Sequence, residues 1–188
     1  MMFFKKLKII FLLVAFFLSY NVSGVNNKSP RTRILLIFDA SKSMSGKWQS
    51  GAKIDVAKKL LFEFLDSLRN DTSIEMGLRI YGHQSKFPPQ DCNDTKLEIP
   101  ISKNSIYNIK KKLKNVEPSG TTPLAKSLME AINDFGIIDN KSKNVIIIIT
   151  DGIEECGGDP CAVSYELQKK GIFLKPFIVG IGEDMRSK

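Results

Sequence analysis

The 188-residue sequence predicts an α/β domain built on a doubly wound, mostly parallel sheet with helices on both faces. Three observations carry this expectation. Ile34–Phe38, Val145–Ile149 and (interrupted by Gly180) Phe177–Ile181 are short apolar runs bounded by turn residues, the pattern of strands buried on both faces. Between these runs, apolar residues return at helical spacing. Strand and helix patterns also alternate along the sequence, as they do when parallel strands are joined by helical crossovers.

The elements follow in sequence order. Met1–Lys8 carries Lys5, Lys6 and Lys8 without an acid, Ile9–Leu18 is unbroken apolar, and Val22-Ser23-Gly24 supplies small residues. Basic, apolar and small segments in that order read as a secretory signal peptide over residues 1–24, so an exported, periplasmic or secreted protein beginning near Val25 is expected. A retained anchor is the competing reading. Ten helical residues rise only ~15 Å, about half a bilayer core, so membrane attachment is expected only through an uncleaved signal. Residues 25–32 read as a polar linker containing Pro30, and the domain proper as 33–188.

Ile34–Phe38 is the first strand. Ile54, Ala57, Leu61, Phe64, Leu65 and Leu68 then fall on one helical stripe. Ile74–Ile80 alternates, with Glu75, Gly77 and Arg79 out of phase, and reads as a less buried strand. Leu97–Ile101 alternates too, and Pro100 suits an edge. Ile106, Ile109, Leu113 and Val116 mark a helix face, with Lys110, Lys111, Lys112 and Lys114 on the other side. Leu124, Leu128, Ala131, Ile132 and Phe135 form a further stripe. Asp159-Pro160 starts another helix, Asp capping and Pro at the first helical position, and Gly171 ends it.

A 43% hydrophobic and 26% charged composition is ordinary for a globular domain and excludes disordered and collagen-like classes. The formal charge is +8, and loss of the three signal lysines leaves about +5. The lysine cluster sits on the solvent side of an amphipathic helix with no aromatic interleaving, so no nucleic-acid partner is expected. A basic polyanion-binding domain stays as an alternative, and steep salt dependence with little sensitivity to chelator would mark it.

In such sheets, ligands bind outside the carboxyl ends of the strands, and the chemistry-bearing residues lie there. Asp39-Ala40-Ser41-Lys42-Ser43 follows the first strand, Thr150-Asp151-Gly152 follows the Val145 strand, and Gly120-Thr121-Thr122-Pro123 opens a helix. Alternate residues of an extended segment point the same way, so Asp39, Ser41 and Ser43 can converge. Asp151 lies beside Asp39 if the two strands are neighbours, and Thr122 reads as a helix cap that presents its hydroxyl from a third loop. Three hydroxyls and two carboxylates suit a hard cation, Mg²⁺ first, with Mn²⁺ or Ca²⁺ also accommodated. Few carboxylates leave such an ion electrophilic and short of a ligand.

Taken together, Ile-Phe-Asp39-Ala-Ser41-Lys-Ser43, Ser-Gly-Thr-Thr122-Pro-Leu and Ile-Thr-Asp151-Gly resemble, in order, the metal-ion-dependent adhesion site of the von Willebrand factor A (vWA) family, whose fold is Rossmann-like. The likeness runs from about Arg31 to Gly182. It extends to Ile80-Tyr81-Gly82-His83 and to Glu155-Cys156-Gly157-Gly158-Asp159-Pro160-Cys161, which are similar to bacterial exported members. The resemblance implies metal-dependent protein binding in the cell envelope, for adhesion or scaffolding, with an acidic residue of the partner completing the metal's shell. It implies no catalysis. A complete member continues past the Phe177 strand with another helix and strand, so by this resemblance either the sequence is truncated at its C-terminal end or its edge is unusually short, and residues 25–188 alone are expected to aggregate or dimerise.

Three further features bear on the reading. His83, the sole histidine, could nominally join Ser41 and Asp151 in a hydrolytic triad, but no Gly-x-Ser-x-Gly elbow is present and a structural or rim role is expected. Glu154 and Glu155 read as acidic loop or rim residues. With His83, they are the only bases available to the alternative of a metal-dependent hydrolase. Cys156 and Cys161 flank a tight loop and are the expected disulfide, leaving Cys92 unpaired. A zinc site is disfavoured, because no second Cys pair or nearby His is present.

Overall fold

The computed structural model describes residues 31–48, 51–139 and 141–178. The expected signal, residues 25–30 of the expected linker and the sequence from 179 onward lie outside the described residues.

Arg31–Asp39 (β1) is the middle strand, and every side chain from Ile34 to Asp39 is buried. Lys42–Ser45 makes one turn of 3-10 helix. Lys47–Trp48 (β2) and Gly51–Ala52 (β3) form a two-strand ribbon leading into Lys53–Leu68 (α1). Ile74–Tyr81 (β4), Thr95–Ser102 (β5), Ile106–Lys114 (α2), Leu124–Asp134 (α3), Ser142–Thr150 (β6), Pro160–Lys169 (α4) and Ile172–Ile178 (β7) follow. The sheet order is β5-β4-β1-β6-β7, parallel except for the antiparallel β4–β5 pair.

The alternation of β1 sends its two sets of side chains into two cores. Ile34, Leu36 and Phe38 pack with Met76, Leu78 and Ile80 beneath α1 and α2, through Ala57, Leu61, Leu65, Ile109 and Leu113. Leu35 and Ile37 pack with Ile146, Ile148 and Tyr81 beneath α3 and α4, through Leu128, Ala131 and Leu167. This is the doubly wound arrangement read from the sequence. The helix expected at Asp159-Pro160 starts there, with Asp159 Oδ1 accepting the N–H groups of Cys161 and Ala162. Gly171, at φ +74°, reverses the backbone after it.

Two strands differ from expectation. β4 is buried from Met76 to Tyr81, although its sequence alternates. Its out-of-phase positions face the second helical layer, and Arg79 is buried there against Asp134 of α3, at 2.7 Å. The last described strand spans Ile172–Ile178, beginning directly after Gly171, so it starts five residues before the expected Phe177–Ile181 run and includes that run's first two residues, while 179–181 lie outside the described residues. Lys175 and Pro176 break its apolar pattern, and among the described residues its only partner is β6, which leaves Pro176 an unpaired side. The edge role of the Pro100 strand, β5, is as expected.

Candidate functional site

β1 and β6 run in register, Phe38 opposite Ile149, so their ends bring Asp39 beside Thr150 and Asp151. Asp39 is completely buried. Its Oδ1 accepts the Ser41 N–H (2.7 Å) and its Oδ2 accepts the Thr150 hydroxyl (2.6 Å). The Thr150 oxygen in turn accepts from the Tyr81 hydroxyl and the Gly152 N–H, each at 3.0 Å. Burial pushes the Asp39 carboxyl up, against the hydrogen bonds from Ser41, Thr150 and Tyr81. Burial and the neighbouring Asp39 charge push the Tyr81 phenol well above its ordinary range.

The hydroxyls of Ser41 and Ser43 lie 2.9 Å apart, and Ser43 donates to Asp151 Oδ1 at 2.8 Å. Lys53, the first residue of α1, donates its ammonium to Asp151 Oδ2 at 2.8 Å. Gly152 lies between the converging loops: a Cβ there would stand 3.7 Å from Asp39 Oδ2, 3.7 Å from Thr122 Cγ2 and 3.8 Å from Ser43 Oγ. Asp39, Ser41, Ser43, Thr122 and Asp151, drawn from three sequence segments, thus surround one small region. Among the described residues no group of three or more His, Cys, Asp or Glu is placed to hold a metal. The oxygen set here is instead two carboxylates with the Ser41 and Ser43 hydroxyls, beside the Thr122 side chain.

Backbone contacts hold the third loop in place. Lys42 N–H donates to Gly120 O (2.9 Å) and Gly120 N–H donates to Gly82 O (2.8 Å). Gly82 has φ +70°, and a Cβ there would come within 2.7 Å of both Ser41 N and Thr121 O, so only glycine lets the loops approach this closely.

Thr122 does not cap α3. The helix begins at Leu124, and Pro123 at its cap position offers no side-chain hydrogen bond. The acceptor comes from across the site, where Glu154 Oε2 takes the Ala125 N–H at 2.6 Å and Oε1 takes the Cys156 N–H at 2.8 Å. Glu155 Oε2 accepts the Thr122 N–H at 3.2 Å, and the Glu155 N–H donates to Thr122 O. Both glutamates, read from sequence as loop or rim acids, therefore grip the Thr122 segment. A carboxylate at a helix N-terminus meets unsatisfied N–H groups and the positive end of the helix dipole.

The expected Cys156–Cys161 disulfide is corrected. Cys156 pairs with Cys92, whose Cα is 5.6 Å away, and Cys161 is free and exposed. Cys161 is committed to the first turn of α4, with its N–H on the Asp159 cap, while the long β4–β5 connection brings Cys92 to Cys156. The bridge spans a sequence separation of 64 and ties that connection to the segment after Asp151. Gln90 Nε2 adds a 2.6 Å bond to Glu155 O.

His83 turns away from these oxygens. Its Nε2 lies 2.9 Å from Glu98 of β5, and its Nδ1 is buried 3.8 Å from Asp94 Oδ1. Burial opposes ionisation of Glu98, but hydrogen bonds from Lys112, His83 and Lys96 outweigh it and hold the carboxyl at about 2. Since the folded protein holds this group below the ordinary 4.5, its stabilising contribution is complete above that pH and is lost as pH falls toward about 2. Glu98→Gln should therefore lower the unfolding free energy at pH 7, and its gap from wild type should narrow between those values. Urea unfolding at several pH values tests this, and a gap independent of pH would contradict it. Lys110 also pairs with Asp66, so two lysines of the α2 cluster serve ion pairs on the fold's surface.

The sequence singled out Asp39, Ser41, Ser43, Thr122 and Asp151, and the fold brings the three segments that carry them together. Thr150, Gly152 and Lys53 were not singled out. Thr150 carried a signal, being aligned with Asp39 at the ends of two adjacent strands. Lys53 carried none.

With this geometry in view, comparison with known proteins defines the class. A sequence profile of the von Willebrand factor type A domain matches residues 34–188, and the protein belongs to that family. It is 32% identical to the uncharacterized protein YwmD of Bacillus subtilis (strain 168) over 163 residues, covering 85% of this sequence and 72% of YwmD. Among solved structures, an aerotolerance-related membrane protein from Bacteroides fragilis is similar with a TM-score of 0.65 and 21% identity, over 80% of this sequence and 68% of that one. The SpRpn10 VWA domain is similar with a TM-score of 0.62 and 10% identity, over 78% and 73%. Both structures share the fold. Domains of this family typically serve protein interaction and adhesion, and commonly bind a divalent metal. Among the described residues no helix is long and apolar enough to cross a membrane.

Proposed function

We propose that the protein is a metal-dependent protein-binding module of the cell envelope, in which Asp39, Ser41, Ser43, Thr122 and Asp151 hold a Mg²⁺-type ion and an acidic residue of a partner completes its shell. The observation that carries this reading is the approach of Asp39 Oδ2 and Ser43 Oγ to within 4 Å of one point at Gly152, beside the Thr122 side chain, with Asp151 bonded to Ser43. The donor set is all oxygen and fits a hard cation. When bound, the metal supplies an electrophilic position for a carboxylate, and the protein's own residues orient it. Asp39 is fixed by Ser41 and Thr150, and Thr122 by Glu155.

A ligand that binds only the folded state stabilises it, by about 2.7 kcal/mol at one hundred times its Kd. Saturating Mg²⁺ should therefore raise the melting temperature, and EDTA should reverse the rise. A pull-down from envelope extract with Mg²⁺ against EDTA should show metal-dependent bands. Melting curves indifferent to Mg²⁺, Mn²⁺ and Ca²⁺ would overturn the reading.

A further inference from the structure

Beside Ser43 opens a cleft of about 530 Å³, lined by Lys42, Ser43, Phe87, Gln90, Gly120 and Glu155. It shares Ser43 with the oxygen cluster, so a peptide segment placing a carboxylate there would carry its neighbouring residue into the cleft. Phe87 is 43% exposed on the cleft wall, although it is a large apolar residue. Its backbone is fixed, with its N–H on Ser119 O at 2.8 Å, and the Cys92–Cys156 bridge closes the same loop against Glu155. Ile153, two residues past Asp151, is 85% exposed. Two bulky apolar side chains thus remain in water at the one face where the hydroxyls and carboxylates converge. Lys42 adds a positive charge at the cleft, its ammonium 3.4 Å from Phe87 O. Exposed apolar groups rimmed by polar ones mark interaction surfaces, and aromatic anchors dominate their energetics.

We infer that this cleft selects the partner: the face recognises a protein segment in which the metal-seeking carboxylate is directly followed by a bulky apolar residue that packs on Phe87. The inference rests on the metal-dependent reading above. The cation and Lys42 favour an acidic segment, and the volume of the cleft with its aromatic wall favours Leu or Phe over Ala beside the acid. Phe87 is then a specificity-determining residue with no part in holding the metal.

The test uses the full-length protein, isotopically labelled, with Mg²⁺ present. Capped tetrapeptides Gly-Asp-X-Gly, with X as Leu, Phe, Ala or Lys, are titrated while amide shifts are followed. Calorimetry measures Mg²⁺ affinity separately. Leu and Phe peptides should bind on the order of tenfold more tightly than Ala, the size of one interface anchor. They should shift the amides of Phe87 and Gly120, and the preference should vanish in Phe87→Ala and persist in Phe87→Tyr. Mg²⁺ affinity should be equal in all three proteins. Bound metal with no discrimination among the peptides, or a preference that survives Phe87→Ala, would overturn the inference alone. No metal binding by the wild type would overturn the parent reading and this one with it.

Discussion

Asp39→Ala and Asp151→Ala are each expected to weaken Mg²⁺ binding by on the order of 100-fold or more. Loss of a mere outer-sphere partner already costs 10–100-fold at metal sites, and these two side chains are the only carboxylates in the converging set. Neither loss should unfold the domain, because the two cores are built by other residues. The variants should nevertheless differ in stability. Asp151→Ala releases Lys53, a quarter exposed and able to hydrate. Asp39→Ala removes the acceptor of the buried Ser41 N–H and Thr150 hydroxyl, each costing about 1–3 kcal/mol, while relieving a carboxylate that burial disfavours as an anion. Asp39→Ala should therefore melt below Asp151→Ala, with unchanged far-UV circular dichroism in both. Calorimetric titrations giving both variants the wild-type affinity would refute the assignment of these carboxylates.

The largest expected effect on stability comes from Arg79→Met. Arg79 holds both oxygens of Asp134 at 2.7 and 2.8 Å and reaches Thr95 Oγ1 at 3.2 Å. Both side chains of the pair are only 6% exposed. Methionine keeps the apolar stem but strands the Asp134 carboxylate between α3 and β4. Removing one partner of a buried pair costs about 3–5 kcal/mol, whereas an apolar replacement of both is often nearly neutral. Arg79→Met should move the urea midpoint sharply down, and Arg79→Met with Asp134→Leu should recover most of the loss. Equal midpoints for wild type and Arg79→Met would show that the pair contributes little.

Much of this was legible beforehand, for identifiable reasons. Unbroken apolar runs at Ile34–Phe38 and Val145–Ile149 suit strands covered on both sides, and both lie inside the sheet, β1 at its centre and β6 beside it. Asp159-Pro160 and Gly171 act through their own backbone chemistry, so the ends of α4 followed from local sequence. The five oxygen-bearing residues were visible because each lies at, or within four residues of, the end of a strand or the start of a helix. β4 was harder, since Arg79 and Gly77 mimic a solvent face and only the α3 carboxylate makes burial of the arginine tolerable.

The sequence by itself determined the alternation of strands and helices, the doubly wound sheet and the segments whose oxygens converge, because these depend on periodicity and on residues adjacent along the backbone. Only the tertiary structure decided that Cys92 reaches Cys156, that Glu154 and Glu155 grip the Thr122 segment and that Lys53 sits on Asp151. Each of these joins residues at least 29 positions apart, and nothing local encodes which distant donor or thiol the folded loops bring within bonding reach.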